Sequence, residues 1–184
     1  MAVVISLLRG VNVGGANIVK MDQLRVLYDS LGLLDTRTHL QSGNAVFRTG
    51  RGGLAQLAKN IENGIERSFG FHSDVILRTP AELREVVARN PFAGRMDIHP
   101  GRLLVTFFSR APGREHCDRL LELDFAPEEL HLSEREIYIY YPHGMARPKV
   151  PPARIEKILN ISGTGRNWNT VIRLLEIGEE LERV

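Results

Sequence analysis

Three short segments carry the residue types from which a binding site could be assembled. The first is Leu8-Arg9-Gly10-Val11-Asn12-Val13-Gly14-Gly15-Ala16-Asn17. A glycine-rich stretch between a strand and a helix can aim backbone N–H groups at an anion, helped by the partial positive charge of the helix N-terminus. Arg9 and Asn12 would add a cation and an amide to the loop that holds Gly14 and Gly15. The spacing fits neither the Walker pattern nor the dinucleotide fingerprint. The same glycines also suit a tight path over a sheet with no ligand at all. The second segment is Gln41-Ser42-Gly43-Asn44, which taken alone is a hairpin turn. The third is Arg166-Asn167-Trp168-Asn169-Thr170, holding the only Trp. Arg166 with Asn167 or Asn169 at a helix N-terminus could face a ligand. The alternative is that an Asn caps that helix while Trp168 anchors it in the core.

Other chemistries find less support. His39, His72, His99, His116, His131 and His143 show no i, i+4 pairing with one another and no cysteine at ligand spacing, so no metal site is assigned. Ser42 lacks the surroundings of a nucleophile elbow. Cys117 shares a helical stripe with Leu120 and Leu121, the pattern of a packed thiol rather than a nucleophile. No catalytic residue and no cofactor follow from the sequence.

The elements that must position the three segments can be read from periodicity. Residues 3–8 are an apolar run, Ser6 apart, rich in β-branched types, as in a central strand covered on both faces. Met21, Leu24, Leu27, Tyr28 and Leu31 mark a helix closed by Gly32. Residues 36–41 and 44–49 form a hairpin around Ser42-Gly43. A helix over 54–69, a strand over 71–78 and a capping box at Thr79-Pro80-Ala81-Glu82 opening a further helix complete the first half. Residues 89–101 carry Pro91, Gly94, Pro100 and Gly101 without periodicity. The order then begins again: strand 103–108, helix 116–123, hairpin 129–132 and 136–141, a helix opened by Pro151-Pro152, a short edge strand 161–165 and a final helix. Leu57, Ile61, Ile65, Leu120, Ile155, Ile158 and Leu175 are the expected core positions on the helices.

This order predicts an α+β chain of two similar ferredoxin-like (split βαβ) subdomains, each βαββαβ with an additional helix. The expected divisions are 1–90, a connector over 91–100, and 101–184. The similarity of the halves rests on element order, since no residue-level repeat is visible. In a split βαβ unit, the exit of the first strand and the second-to-third-strand hairpin lie on one edge of the sheet. Arg9, Asn12, Gln41, Ser42 and Asn44 should therefore converge. One cation, amides and a hydroxyl suit recognition of phosphate or carboxylate.

Leu-Leu-Arg-Gly-Val-Asn-Val-Gly-Gly at 7–15, Gln-Ser-Gly-Asn at 41–44 and Arg-Asn-Trp-Asn-Thr at 166–170 resemble the signature segments of a bacterial family, domain of unknown function 1697. They occur in the family's order and span essentially the whole chain. The resemblance implies a compact fold of two similar subdomains. It implies no established activity, cofactor or catalytic residue.

Composition sets the remaining bounds. The chain has 184 residues, 43% of them hydrophobic, which is ordinary for a globular fold. Lys20, Lys59, Lys149 and Lys157 are the only lysines, so Arg dominates the 24 basic residues, but 22 acidic ones hold the net charge to +2. That balance argues against a large phosphate footprint. A single cysteine, no apolar run of membrane-spanning length and no signal-like N-terminus point to a reducing, cytoplasmic setting without a membrane partner. The leading expectation is a small anionic ligand at the polar edge. The alternatives are nucleic acid on a sheet face, where Tyr138 and Tyr140 share a side, and a protein-interaction module.

Overall fold

The computed structural model describes residues 1–50 and 52–183; Val184, the expected end of the second subdomain, lies outside them. The first half runs β1 (Ala2–Leu8), α1 (Met21–Ser30), β2 (Leu34–His39), β3 (Asn44–Thr49), α2 (Leu54–Phe69), β4 (Val75–Arg78) and α3 (Pro80–Ala88). The second runs β5 (Leu103–Phe108), α4 (Arg114–Leu121), β6 (Glu129–Ser133), β7 (Glu136–Tyr140), α5 (Pro152–Leu159), β8 (Gly163–Asn167) and α6 (Trp168–Glu182). Each half makes a four-stranded antiparallel sheet, ordered β2-β3-β1-β4 and β6-β7-β5-β8. This is the ferredoxin-like order twice over, with β1 and β5 central as their mainly apolar runs, each holding one small hydroxyl residue, predict.

Two compact units result. One comprises Met1–Arg84 together with Arg173–Val184, the other Glu85–Ile172. The division thus cuts through α3, and the C-terminal part of α6 belongs with the first unit, whereas the sequence assigned it to the second half. Local contacts give the reason. Arg37 bonds Glu180 at 2.9 Å, Arg84 bonds Glu179 at 2.8 Å, and Arg48 Nη2 donates to the Leu181 carbonyl at 2.6 Å. Gly178 lies against Pro80 and Ile5, where an added Cβ would come within 3.2 Å of the proline ring.

In the first unit Val4 and Leu8 of β1 join Phe47, Leu77, Leu24, Ile61 and Ile65 in one core. Ile5 and Leu7 point to the opposite sheet face and are also fully buried. Burial on both faces is why β1 shows no polar alternation. In the second unit Phe108, Ile137 and Ile139 pack with Leu120, Ile155 and Leu159. Ile158, expected in that core, is only partly buried; Leu159 fills the position one residue on.

Most local signals act as written. Thr79 N–H donates to Glu82 Oε2 at 2.8 Å and Glu82 N–H to Thr79 Oγ1 at 3.1 Å, a reciprocal capping box that opens α3. The strand expected over 71–78 is confined to its last four residues, and the edge strand expected over 161–165 sits two residues later. No helix among the described residues is long and apolar enough to cross a membrane.

Candidate functional site

The edge of the first sheet where β1 ends is built by side chains that tie separate segments together. In the ladder Leu7 pairs with Asn44, and Leu8 N–H donates to the Gly43 carbonyl at 3.1 Å, so the strand exit and the hairpin share this edge. Arg9 N–H then donates to Asp74 O at 3.0 Å, and the buried Ser73 hydroxyl donates to Arg9 O at 2.8 Å. The β3 and β4 ends therefore both grip the start of the loop.

Asn12 is the hub of the loop itself. Its Nδ2 donates to Val19 O at 2.9 Å and Gln41 O at 2.6 Å, while its Oδ1 accepts from Val19 N–H at 2.9 Å. Its backbone is left-handed, with φ 54°, a conformation Asn tolerates better than other non-glycine residues. Asn17, also left-handed, donates from Nδ2 to Gly10 O at 3.0 Å and accepts Asn12 N–H on its carbonyl. Asn44 is fully buried and donates to His39 O and Ser42 Oγ, both at 2.9 Å.

The two sets of glycines serve different ends. Gly43 has φ +70°, and a Cβ there would stand 2.8 Å from Leu8 Cβ, so the turn passes against β1 with no room for a side chain. Gly14 and Gly15 are also left-handed, yet a Cβ on either would meet nothing within 4 Å. They shape an exposed tip whose backbone faces open space.

The structure thus brings Arg9, Asn12, Gly14, Gly15, Gln41, Ser42 and Asn44 to one edge, and divides their work. Asn12 and Asn44 hold the edge together. Arg9 is half-buried, and Gln41 is exposed like the glycine tip. Sequence reasoning missed the apolar part of the surface. Val13, Ile18 and Leu40 are 65%, 61% and 59% exposed. Val13 adjoins Asn12, and Ile18 and Leu40 adjoin its two partners.

The third segment belongs to the second unit and is engaged locally. Arg166 is buried, its Nη1 donating to Thr164 Oγ1 at 2.7 Å and Gly165 O at 2.8 Å. Loss of hydration brings its guanidinium down to about 10. Asn167 donates to Gly101 O at 2.8 Å and accepts Asn169 N–H at 3.0 Å, capping α6. Asn169 is exposed and Trp168 only partly buried.

Tyr138 and Tyr140, the candidates for base stacking, are buried. Their hydroxyls donate to Val86 O at 2.7 Å and Asp97 O at 3.0 Å. Burial, followed by the neighbouring Asp118 charge, pushes the Cys117 thiol up, away from thiolate reactivity. Among the described residues no cluster of three or more His, Cys, Asp or Glu could hold a metal.

A solved structure of similar fold is that of the conserved bacterial protein SP0830 from Streptococcus pneumoniae. It has 21% sequence identity and a TM-score of 0.73, covering 97% of this chain and 99% of that one. At that identity the likeness speaks for the fold alone. No curated protein matches the chain. The model of a family described as a protein of unknown function, DUF1697, matches residues 1–138, which include the glycine loop and the Gln-Ser-Gly-Asn hairpin, and the chain belongs to that family.

Proposed function

We propose that the chain binds a small anionic ligand, carrying phosphate or carboxylate, at the edge formed by the glycine loop and the 41–44 hairpin. The observation that carries this reading is the side-chain tie from Asn12 to Gln41 and Val19. It fixes an exposed, left-handed Gly14-Gly15 tip beside Arg9 and Gln41. A loop held this firmly, with open space beside the exposed Gly14 and Gly15, is preorganised to receive something. Arg9 supplies charge and a fork of donors, and Gln41 and the loop backbone supply neutral donors. The buried Tyr138 and Tyr140 weigh against readout of bases on the second sheet.

The test is thermal unfolding of the full chain with inorganic phosphate, pyrophosphate, a nucleoside monophosphate and succinate. At least one should raise the melting temperature in a saturable way. Arg9→Gln should remove that gain, read as the shift between its own ligand-free and ligand-bound melting temperatures. The reading is wrong if no anion stabilises the protein or if Arg9→Gln keeps the full response.

Val13, Ile18 and Leu40 favour a second reading, a protein partner on the same edge. Sedimentation of the wild type against a Val13→Ser, Ile18→Ser, Leu40→Ser variant reports association through that face.

A further inference from the structure

The second unit carries an open groove of about 710 Å³ between α4 and α5. Leu123, just past the end of α4, and Ile158 supply its apolar part, and Arg119, Arg154 and Lys157 its charge. Among the described residues Glu122 is the one acid in the wall. All three cationic residues are exposed, and long basic side chains keep their heads in water while their stems cover apolar surface. The partial exposure of Ile158, whose helical phase predicts the core, has its reason here, since it lines the groove. Leu123 is 41% exposed.

The chain does not neutralise these charges. Arg119 bonds Glu115 at 2.7 Å, but neither Arg154 nor Lys157 has an ion-pair partner among the described residues. The two stand one turn apart on α5, a spacing at which like charges repel. Nor does the fold require them. The corresponding groove of the first unit, between α1 and α2, has no lysine or arginine in its wall among the described residues.

We propose that the α4–α5 groove docks an acidic, amphipathic segment of a partner protein, with carboxylates on Arg154 and Lys157 and an apolar side chain against Leu123 and Ile158. Charge complementarity selects this occupant. A nucleic acid fits less well, because no aromatic residue lines the groove for a base to stack on. A second copy of the chain also fits less well: its own helix-pair groove offers one carboxylate, Asp22, already bonded to Arg25. The volume falls within the roughly 300–1,000 Å³ that holds a few side chains, so a short segment suffices. The groove is separate from the anion-binding edge, whose residues all lie in the first unit.

The experiment is an amide NMR titration of the full chain with a synthetic peptide of Asp and Glu flanking leucines. The controls are the same peptide with serines for the leucines, and single-stranded oligo(A). The leucine peptide should give saturable shifts in residues 116–123 and 154–160. Its affinity should fall as salt is raised and exceed that of the serine peptide by about tenfold or more. The double variant Arg154→Glu, Lys157→Glu changes exposed positions only and should weaken the leucine peptide by about tenfold or more. The proposal is overturned by the absence of saturable shifts, by equal affinity for the two peptides, by tighter binding of oligo(A), or by an unchanged affinity in the double variant. Shifts confined to residues 9–18 and 40–44 overturn it too, since they would place the peptide on the other edge. Sedimentation in which the wild type self-associates and the double variant does not would assign the groove to a second copy and equally overturn it. Should the double variant fail to fold, the two peptides on wild type decide the matter by themselves.

Discussion

The side-chain amide nitrogen of Asn12 donates to the main-chain carbonyl of Gln41 at 2.6 Å, across 29 residues of chain. It joins the loop after the first strand to the tip of the following hairpin, and the same side chain also exchanges two bonds with Val19. Asn12 should therefore be worth more to stability than its partly exposed position suggests. Asn12→Gly keeps the left-handed backbone but loses the three bonds, at a cost of roughly 1–3 kcal/mol. Asn12→Ala loses the same bonds and adds a left-handed alanine, about 1–2 kcal/mol more. Urea unfolding midpoints measure both. Two variants of equal stability would remove the backbone part of the argument, and two variants like wild type would remove the whole of it.

Gly14 and Gly43 separate conformation from contact. Both have positive φ, but only at Gly43 would a Cβ meet a neighbour, Leu8 Cβ at 2.8 Å. Gly14→Ala should cost the strain alone, roughly 1–2 kcal/mol. Gly43→Ala should cost clearly more, because β1 must move or the turn must open. A thermal melt in which Gly43→Ala proves the milder change would contradict that distinction.

Much of the fold was legible in the sequence because its signals are local. The absence of polar alternation in β1 follows from burial on both faces, and Thr79 and Glu82 satisfy each other as their spacing implies. Signals failed where the deciding contact is remote. Edge strand β8 is displaced from the apolar Ile161 because Gly163 must pass Thr106 Cγ2, where a Cβ would come within 2.6 Å. The close approach of another strand selects glycine and erases the pattern. The apolar stripe of α6 looks the same whichever sheet it covers, so its return to the first unit left no trace in periodicity. For the candidate site, residue types could be read but not directions. An asparagine that reaches across the fold and one that faces a ligand are the same letter.

Ser6 and Thr106 occupy matching positions in the two central strands, yet their hydroxyls differ. Ser6 Oγ lies 2.8 Å from the buried Tyr28 hydroxyl, and burial, only partly offset by this bond, pushes that phenol far above its ordinary value. Thr106 Oγ1 is buried without a partner. Ser6→Ala orphans Tyr28 and should cost about 1–3 kcal/mol. Thr106→Val removes only an unsatisfied oxygen at nearly constant volume, so it should be neutral or stabilising. Chemical unfolding of the two variants side by side checks the contrast, which fails if Thr106→Val is the more damaging.

His39 ends β2 partly buried, and loss of hydration, followed by the positive charge of Arg173, holds its imidazole below the usual 6.5. Above that value folded and unfolded chains both keep this histidine neutral, and it contributes no slope to stability. As pH falls through 6.5 the unfolded chain takes up a proton that the folded chain resists, so stability declines. The decline ends once pH passes below the lowered folded value and both states are charged. His39→Asn should flatten this part of the profile between pH 7 and 5, and the difference from wild type isolates it from the other five histidines. Arg173→Gln leaves the burial in place and removes the repulsion, so the His39 resonance should titrate closer to 6.5 than in wild type. An NMR titration reads both directly. A wild-type His39 titrating at or above 6.5, or one that moves down in Arg173→Gln, would mean that burial and Arg173 do not govern this site.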